Sequence, residues 1–502
     1  MIYFYKTVDI IRLNIYSSPQ IIVALLCGVI VLLSTFIPEA VGPANNGDFI
    51  RVIAPNRIRF IDDNPRTMWN GYGFTAEFEM SFGGGVSALR RTVYFLHIDF
   101  TTFNFPSSQI ITIKISKILN LCFNIISGSP LYTYNLFWLF IIHLFIFSYA
   151  LSLILGYILK RFGKKMFVYA SFITIFVLCD QGYTLYFNSF YGEALQYVLT
   201  LLSIGLFLRL SDKNGKGLLP YYIVVYLMAT SKFAWIPVGI LFALAPLSLL
   251  LVKNMTFLHK KLIILSGTTI FALITFYSFL IPSWIEDDTN FNSVFNGVLR
   301  NSQTPENDLK WLGLDPELVI LQGWEMYMYD YPIDIYSDEF RKFFFDVISK
   351  PRILLFYLNH PSRFLDILQE SAEYARFIRA PYLTSVQNPK YQGQQVYRFS
   401  IWELTRINIR PLANFWFIFL IFGVSSLICI IKLNTAINRT HDNADVLIPI
   451  LLIILIISTA ISFVLPYVSN GISDQAKQMF GFISLFDIIL FSIIGWFIYR
   501  FI

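Results

Sequence analysis

Ile21-Ile22-Val23-Ala24-Leu25-Leu26-Cys27-Gly28-Val29-Ile30-Val31-Leu32-Leu33-Ser34-Thr35-Phe36-Ile37 and, shortly after it, Asn45-Asn46-Gly47-Asp48-Phe49-Ile50-Arg51 decide how the chain is read. The first is an uncharged run close to the ~20 residues a helix needs to cross a bilayer. The second follows it directly, so a carboxylate is delivered to a membrane surface on a fixed stem. Gly47 allows a sharp turn there, which lets Asp48 face back toward the bilayer.

Outward from this stretch, the composition says the same. Of 502 residues, 56% are hydrophobic, 18% aromatic and only 14% charged. A soluble domain is about 45–50% apolar and about 25% charged. The chain is therefore expected to be an all-α polytopic membrane protein. Its net charge of +6 sits mainly in short loops between apolar runs, which is a topology signal and no sign of nucleic-acid binding. Cys27, Cys122, Cys179 and Cys429 are scattered without metal or disulfide spacing. Lys6 and Arg12 ahead of the first run imitate a signal peptide. The run is long for one, and Pro38-Glu39 interrupts the cleavage site, so an uncleaved first helix is expected.

Ten spans are expected, at about 21–38, 131–156, 165–181, 194–210, 219–231, 233–251, 262–282, 412–432, 446–466 and 478–499. Lys160, Arg161, Lys164, Lys165, Arg209, Lys213, Lys216, Lys253, Lys260, Lys261, Lys432, Arg439 and Arg500 then share one side with Lys6 and Arg12. Only Lys232 and Lys477 fall in the opposite short loops. Both termini are thus expected in the cytoplasm. The apolar stretch 219–251 is read as a hairpin turning at Ala229-Thr230-Ser231-Lys232, because a single span would put like-charged loops on opposite sides. The organisation is a membrane module 1–282 that includes an external loop 41–130, an external helical region 283–411, and C-terminal spans 412–502.

Within the first loop, Pro106-Ser107-Ser108-Gln109 offers an N-cap. Ile110, Ile111, Ile113, Ile115, Ile118, Leu119 and Cys122 follow, with Lys114 and Lys117 between them. That pattern suits a helix lying at the interface rather than crossing it. In the second loop, helices are expected at Asp338–Lys350 and from Pro351 to Arg379, with a break at His360-Pro361.

Five constellations carry possible chemistry. Asp48 suits a general base, or an ordinary loop acid paired with Arg51. Glu193, in Asn188-Ser189-Phe190-Tyr191-Gly192-Glu193, suits a site acid or a first-turn carboxylate favoured by the helix dipole. Lys232, in Ser231-Lys232, suits a phosphate ligand or a snorkelling side chain. Asp474 and Lys477, in Asn470-Gly471-Ile472-Ser473-Asp474-Gln475-Ala476-Lys477-Gln478-Met479-Phe480, either pair at i, i+3 or face the cleft beside Asp48. His360, Arg363, Arg376 and Arg379 offer cations on helix faces that are usually just solvated. Asp62-Asp63 lacks a third metal ligand at suitable spacing, and no P-loop, zinc or Rossmann pattern appears.

Asn46-Gly47-Asp48-Phe49-Ile50-Arg51, Phe187-Asn188-Ser189-Phe190-Tyr191-Gly192-Glu193 and Asp474-Gln475-Ala476-Lys477-Gln478-Met479-Phe480 resemble stretches of bacterial surface-glycan hexosyltransferases in the GT-C class of membrane glycosyltransferases. The layout, with a long first external loop that starts with an acid, is similar over most of the chain. The resemblance implies a bacterial cytoplasmic (inner) membrane enzyme that moves a hexose from a polyprenyl-phosphate sugar to a glycan or glycolipid acceptor outside. It implies Asp48 as the base; Arg51, Glu193, Lys232, Asp474 and Lys477 are expected around the substrates, with membrane lipid as partner, and a transfer of this kind requires no redox cofactor and no obligatory metal. The paired acids of some relatives and the tryptophan-rich motif of oligosaccharyltransferases are absent, which leaves the acceptor open.

A lipid-linked glycan polymerase or ligase shares these features. A flippase or transporter of lipid-linked glycans expects repeats or midplane polar breaks instead. A lipid-shaped groove beside Asp48 is the observation an enzyme reading asks for, and a closed midplane cavity the one that favours transport.

Overall fold

The computed structural model describes residues 18–62, 64, 68–69, 71–81, 97–99, 105–212, 217–251, 257–440 and 443–501. Lys6, Arg12, Asp63, Lys213, Lys216 and Lys253 lie outside them. Ten labelled helices carry the architecture: α1 (Pro19–Phe36), α2 (Gln109–Ser127), α3 (Phe137–Ile173), α4 (Gly192–Asp212), α5 (Leu218–Ala229), α6 (Ile236–Leu244), α7 (Phe257–Ser278), α8 (Phe415–Thr435), α9 (Asn443–Asn470) and α10 (Phe480–Phe501). Nine stretches among the described residues are long and apolar enough to cross a membrane. The protein is an all-α, multi-pass membrane protein.

Contacts fix which helix ends lie together. Phe36 packs on Phe137 and Phe140, and Gly156 lies against Gln20, so the first part of α3 runs antiparallel to α1. Gly163 then leaves the helical conformation at φ +80°, ψ −175°. Beyond it the chain returns, and the Gln181 amide reaches Ser34 O at 3.0 Å. One unbroken stretch, Phe137–Leu178, is therefore two crossings. α5 is only 12 residues and turns at Thr230-Ser231-Lys232. Lys232 meets Glu193 at the head of α4, and the Tyr277 hydroxyl at the foot of α7 donates to Thr230 O. At the opposite end, Arg161 pairs with Asp445 at 2.8 Å and Lys432 lies over the Trp496 ring. The bundle thus has an Asp48 end and an Arg161 end.

α2 lies flat across the Asp48 end. At its start, Ser107 Oγ donates to Ser231 O and Ser108 Oγ to Leu227 O. Near its finish, Asn120 and Asn124 donate to Thr133 O, just ahead of α3. Its polarity is inverted. Gln109, Lys114, Lys117, Asn120 and Asn124 are buried, with Lys117 Nζ donating to Asn56 O at 2.8 Å, while Ile111, Ile115, Ile118, Phe123 and Ile126 are exposed. An apolar outer face on a helix bound to one end of the bundle suits the lipid interface. Ser107, not Ser108, supplies the cap: its Oγ accepts Gln109 N at 3.2 Å.

Two features depart from expectation. The first loop and the start of the span expected at 131–156, whose helix begins only at Phe137, contribute a three-stranded antiparallel sheet, β1 (Ile58–Arg59), β2 (Glu77–Met80) and β3 (Thr133–Asn135), in register Ile58 with Met80 and Phe78 with Tyr134. β-strand pairing needs partners distant in sequence, so no local period announces segments this short. The helix expected at Asp338–Lys350 ends at Phe345, and Lys350 instead begins Lys350–Asn359, with Pro351 at its first turn. The break at His360 is present, and Pro361–Tyr374 follows. Phe291, Phe295, Leu312, Phe344 and Phe356 form a second core in the large loop, shared with Tyr467 at the end of α9.

The large loop is also anchored inside the bundle. Helix Ile401–Asn408 packs where Asp180 accepts Trp402 N and Glu403 N, at 2.8 and 3.2 Å. Arg379 grips Glu403 through two bonds of 2.7 and 2.6 Å. Arg406 pairs with Asp487 of α10, both side chains fully buried, and Tyr183 and Trp402 also donate to Asp487.

Candidate functional site

The site is assembled from three chain reversals at the Asp48 end. In the first, Asn45 Oδ1 accepts Gly47 N and Phe49 N, each at 3.0 Å, which closes a side-chain-capped turn. Gly47 sits at φ +101°, a region side chains rarely enter. Asp48 follows and leads into the short helix Ile50–Ile53. Phe49 is buried against Phe190 and Tyr191, which locks this turn to the second reversal. Tyr191 extends the lock: its hydroxyl donates to Ala44 O at 2.7 Å and accepts Asn46 N at 3.0 Å.

The third reversal is the α9–α10 connection. Gly471 has φ +58°, and a Cβ there would lie 2.6 and 2.7 Å from the carbonyl oxygens of Asn292 and Asn296. Asp474, at φ +55°, is one of few non-glycine residues in the left-handed region. Replacing Gly471 by Ala therefore meets both an unfavourable backbone and two immovable carbonyls. It is expected to cost about 2 kcal/mol or more, checked by chemical denaturation of the purified protein.

These reversals bring Asp48, Arg51, Asp474 and Lys477 together. Lys477 Nζ lies 2.6 Å from Asp48 Oδ2 and also pairs with Asp474, while its ammonium sits over the Tyr191 ring at 5.1 Å. Arg51 Nη1 reaches Asp48 Oδ1 at 2.9 Å and stacks over Trp284 at 5.1 Å. Asn46 Nδ2 approaches Asp474 at 3.5 Å. The Lys477 side chain is 2% exposed but that of Asp48 is 26% exposed, so solvent enters from the carboxylate side.

Burial pushes the Asp48 carboxyl upward, but Lys477 and Arg51 outweigh it and hold the group well below the usual range. Asp474 comes out raised, because burial and the charge of Asp48 outweigh Lys477. Lys477 loses from burial and gains more from Asp474 and Asp48, so it stays an ammonium. Two carboxylates thus share one lysine with their acidities pulled apart, an arrangement that separates acid and base roles.

Glu193 and Lys232 form a neighbouring pair at 2.7 Å, and Lys232 acts electrostatically on both Asp48 and Asp474. The local alternatives are realised too: Asp48 does pair with Arg51, Asp474 does pair with Lys477, and Glu193 does sit in the first turn of α4. Of the loop cations, Arg363 is spent on Asp308 and Arg379 on Glu403, His360 Nδ1 faces Phe356 O, and Arg376 lies over Phe377. Among the described residues, no three His, Cys, Asp or Glu side chains form a metal-holding group.

Sequence reasoning missed Asn46 and Tyr191 as site residues, although both lie in the quoted stretches. It also missed Trp284, Asp288 and Tyr327, which the large loop brings to Arg51 and which no local pattern marks. A cleft of about 280 Å³ opens between α3, α4, α9 and α10, lined by Tyr157, Phe162, Tyr169, Leu451 and Trp496 and reaching Asp487. It touches none of Asp48, Arg51, Asp474 or Lys477, so this groove lies away from the place the sequence expected one.

A family model described as the YfdI N-terminal transmembrane domain matches residues 6–500. No curated protein and no solved structure matches the chain.

Proposed function

The chain belongs to the YfdI N-terminal transmembrane domain family, and from that premise we propose that it is a membrane glycosyltransferase. It moves a hexose from a polyprenyl-phosphate donor to a glycan or glycolipid acceptor. The observation that carries this is Asp48 clasped between Lys477 and Arg51 where solvent reaches it.

An acceptor hydroxyl attacks the anomeric carbon as the bond from that carbon to the phosphate oxygen breaks. The electron pair leaves with the polyprenyl phosphate, the hydroxyl proton passes to Asp48, and the anomeric centre inverts. Lys477 and Arg51 face the charge that develops on the phosphate. The clasp also couples binding to chemistry. In the resting protein Asp48 is too weak a base, since a base works best with a pKa near the operating pH. A phosphate drawing Lys477 and Arg51 toward itself removes the charges that hold Asp48 down and makes it basic. Positive residues crowd the Arg161 end, with Lys160, Arg161, Lys164, Lys165, Lys260 and Lys261, which supports placing that end in the cytoplasm and Asp48 outside.

A flippase for lipid-linked glycans is supported by the cleft that reaches Asp487. That carboxylate, however, receives Tyr183, Trp402 and Arg406 together, which commits it to holding the bundle.

The purified protein in nanodiscs, given labelled polyprenyl-phosphate hexoses and envelope glycolipid, is expected to transfer label. Failure with every hexose overturns the reading. Arg51→Ala keeps the Lys477 partner of Asp48 and is expected to raise the donor KM about tenfold, the ~1.4 kcal/mol a charge-assisted contact supplies. An unchanged donor KM removes Arg51 from phosphate binding.

A further inference from the structure

Tyr327 is a strained residue beside the site. Its φ is +92°, in a region that non-glycine residues rarely occupy, and strain of this kind persists only where the surroundings enforce it. Here they do. Asn292 Oδ1 accepts Met326 N at 2.7 Å, and the Tyr331 hydroxyl accepts Tyr327 N at 3.1 Å. The Tyr327 hydroxyl donates to Asp288. All this leaves the ring 65% exposed and close enough to Arg51 and Asp48 to act on both electrostatically. A tyrosine held by two bonds of its own in a costly conformation, yet turned out of every core, is not there for stability.

A second ring lies against the residue before Asp48. Trp69 is 53% exposed and rests on Gly47, where a Cβ would meet its six-membered ring at 3.5 Å. Its place depends on Asn45, whose Nδ2 donates to Met68 O. Two exposed rings therefore lie close to a carboxylate that solvent reaches.

We propose that Tyr327 and Trp69 form the acceptor subsite, taking a saccharide ring by stacking its C–H faces so that a hydroxyl is presented to Asp48. The proposal rests on the transferase reading and names what that reading leaves open. The surroundings choose among ligands. Asp288, which accepts the Tyr327 hydroxyl, puts a carboxylate on this side of the site, which suits a ring rich in hydroxyl donors. Aromatic faces supply area at little entropic cost. The phosphate then meets Lys477 and Arg51, and the acceptor ring meets Tyr327 and Trp69.

The test uses the full chain in nanodiscs and two readouts. Tryptophan fluorescence is titrated with a panel of soluble methyl hexosides and disaccharides. Turnover is followed with polyprenyl-phosphate hexose, with and without glycolipid acceptor. Trp69→Ala and Tyr327→Gly are expected to weaken saccharide binding and raise the acceptor KM about tenfold. In each variant the acceptor KM is expected to move further than the donor KM. Tyr327→Gly suits the left-handed backbone better than tyrosine, so a loss there is not a loss of folding, and Tyr327→Trp is expected to retain binding. Saccharide binding that is absent, or unchanged in both variants, overturns the subsite even where transfer is seen. A protein that shows no transfer but binds saccharides through Tyr327 keeps the subsite and loses the transferase reading.

Discussion

Asp48→Asn is expected to reduce hexose transfer about a thousandfold, in the middle of the range for removing a general base, while the protein elutes and unfolds as before. The substitution keeps the size and one oxygen of the side chain. Lys477, almost wholly buried, keeps Asp474 as its partner, and Arg51, which loses its carboxylate, is 28% exposed and stays over Trp284. Asp474→Asn is expected to cost tenfold or less, because Lys477 then keeps Asp48. A larger loss from Asp474→Asn than from Asp48→Asn moves the base to Asp474, and near-normal transfer in Asp48→Asn removes the assignment. The sign of the pH effect follows from the clasp. The folded Asp48 carboxyl titrates below its unfolded value of about 3.9. The stability its pairs supply is complete above that value and is lost only as the pH falls through the folded one. Between pH 5 and 8 the Asp48 contribution to stability is thus constant, so its titration is expected to add no pH dependence to unfolding in that range.

Removing one partner of the Arg406–Asp487 pair gives the second large effect. Arg406→Ala leaves Asp487 in the bundle with only the Tyr183 and Trp402 donors. Asp487→Ala leaves the Arg406 guanidinium with the Ala375 carbonyl, which it reaches at 3.1 and 2.9 Å. An unpaired buried charge costs about 3–5 kcal/mol. Either single variant is expected to lose that much in chemical denaturation and to release helix Ile401–Asn408 to added protease. The double variant Arg406→Met, Asp487→Leu replaces the pair by apolar side chains of similar size and is expected to recover most of the loss. A double variant no better than the singles shows that the charges hold helix Ile401–Asn408 in a way packing cannot replace.

The crossing helices were legible because a bilayer demands long uncharged runs, and the chain obeys at α1, α4, α7, α8, α9 and α10. The kink at Gly163 was legible as charge, through Lys160, Arg161, Lys164 and Lys165, and the break in helicity at Gly163 falls among those charges. The turn at Ser231-Lys232 was legible for the same reason. Asp48 and Lys477 could each be singled out as polar residues at span ends, yet their contact joins positions 429 apart in sequence, and no local period encodes that. What one sequence could not show was that Asp48 arrives already neutralised, since the clasp is a property of three reversals folding together. Asp487 was readable as an acid inside an apolar run, the kind of residue that marks a buried function or anchor. Its partners Arg406 and Trp402 sit in a loop segment whose burial only the fold reveals.

α2 gives the protein a float. A rod greasy on its outside and moored by lysine and asparagine on its inside cannot sink into the hydrocarbon or rise into water without losing one of the two.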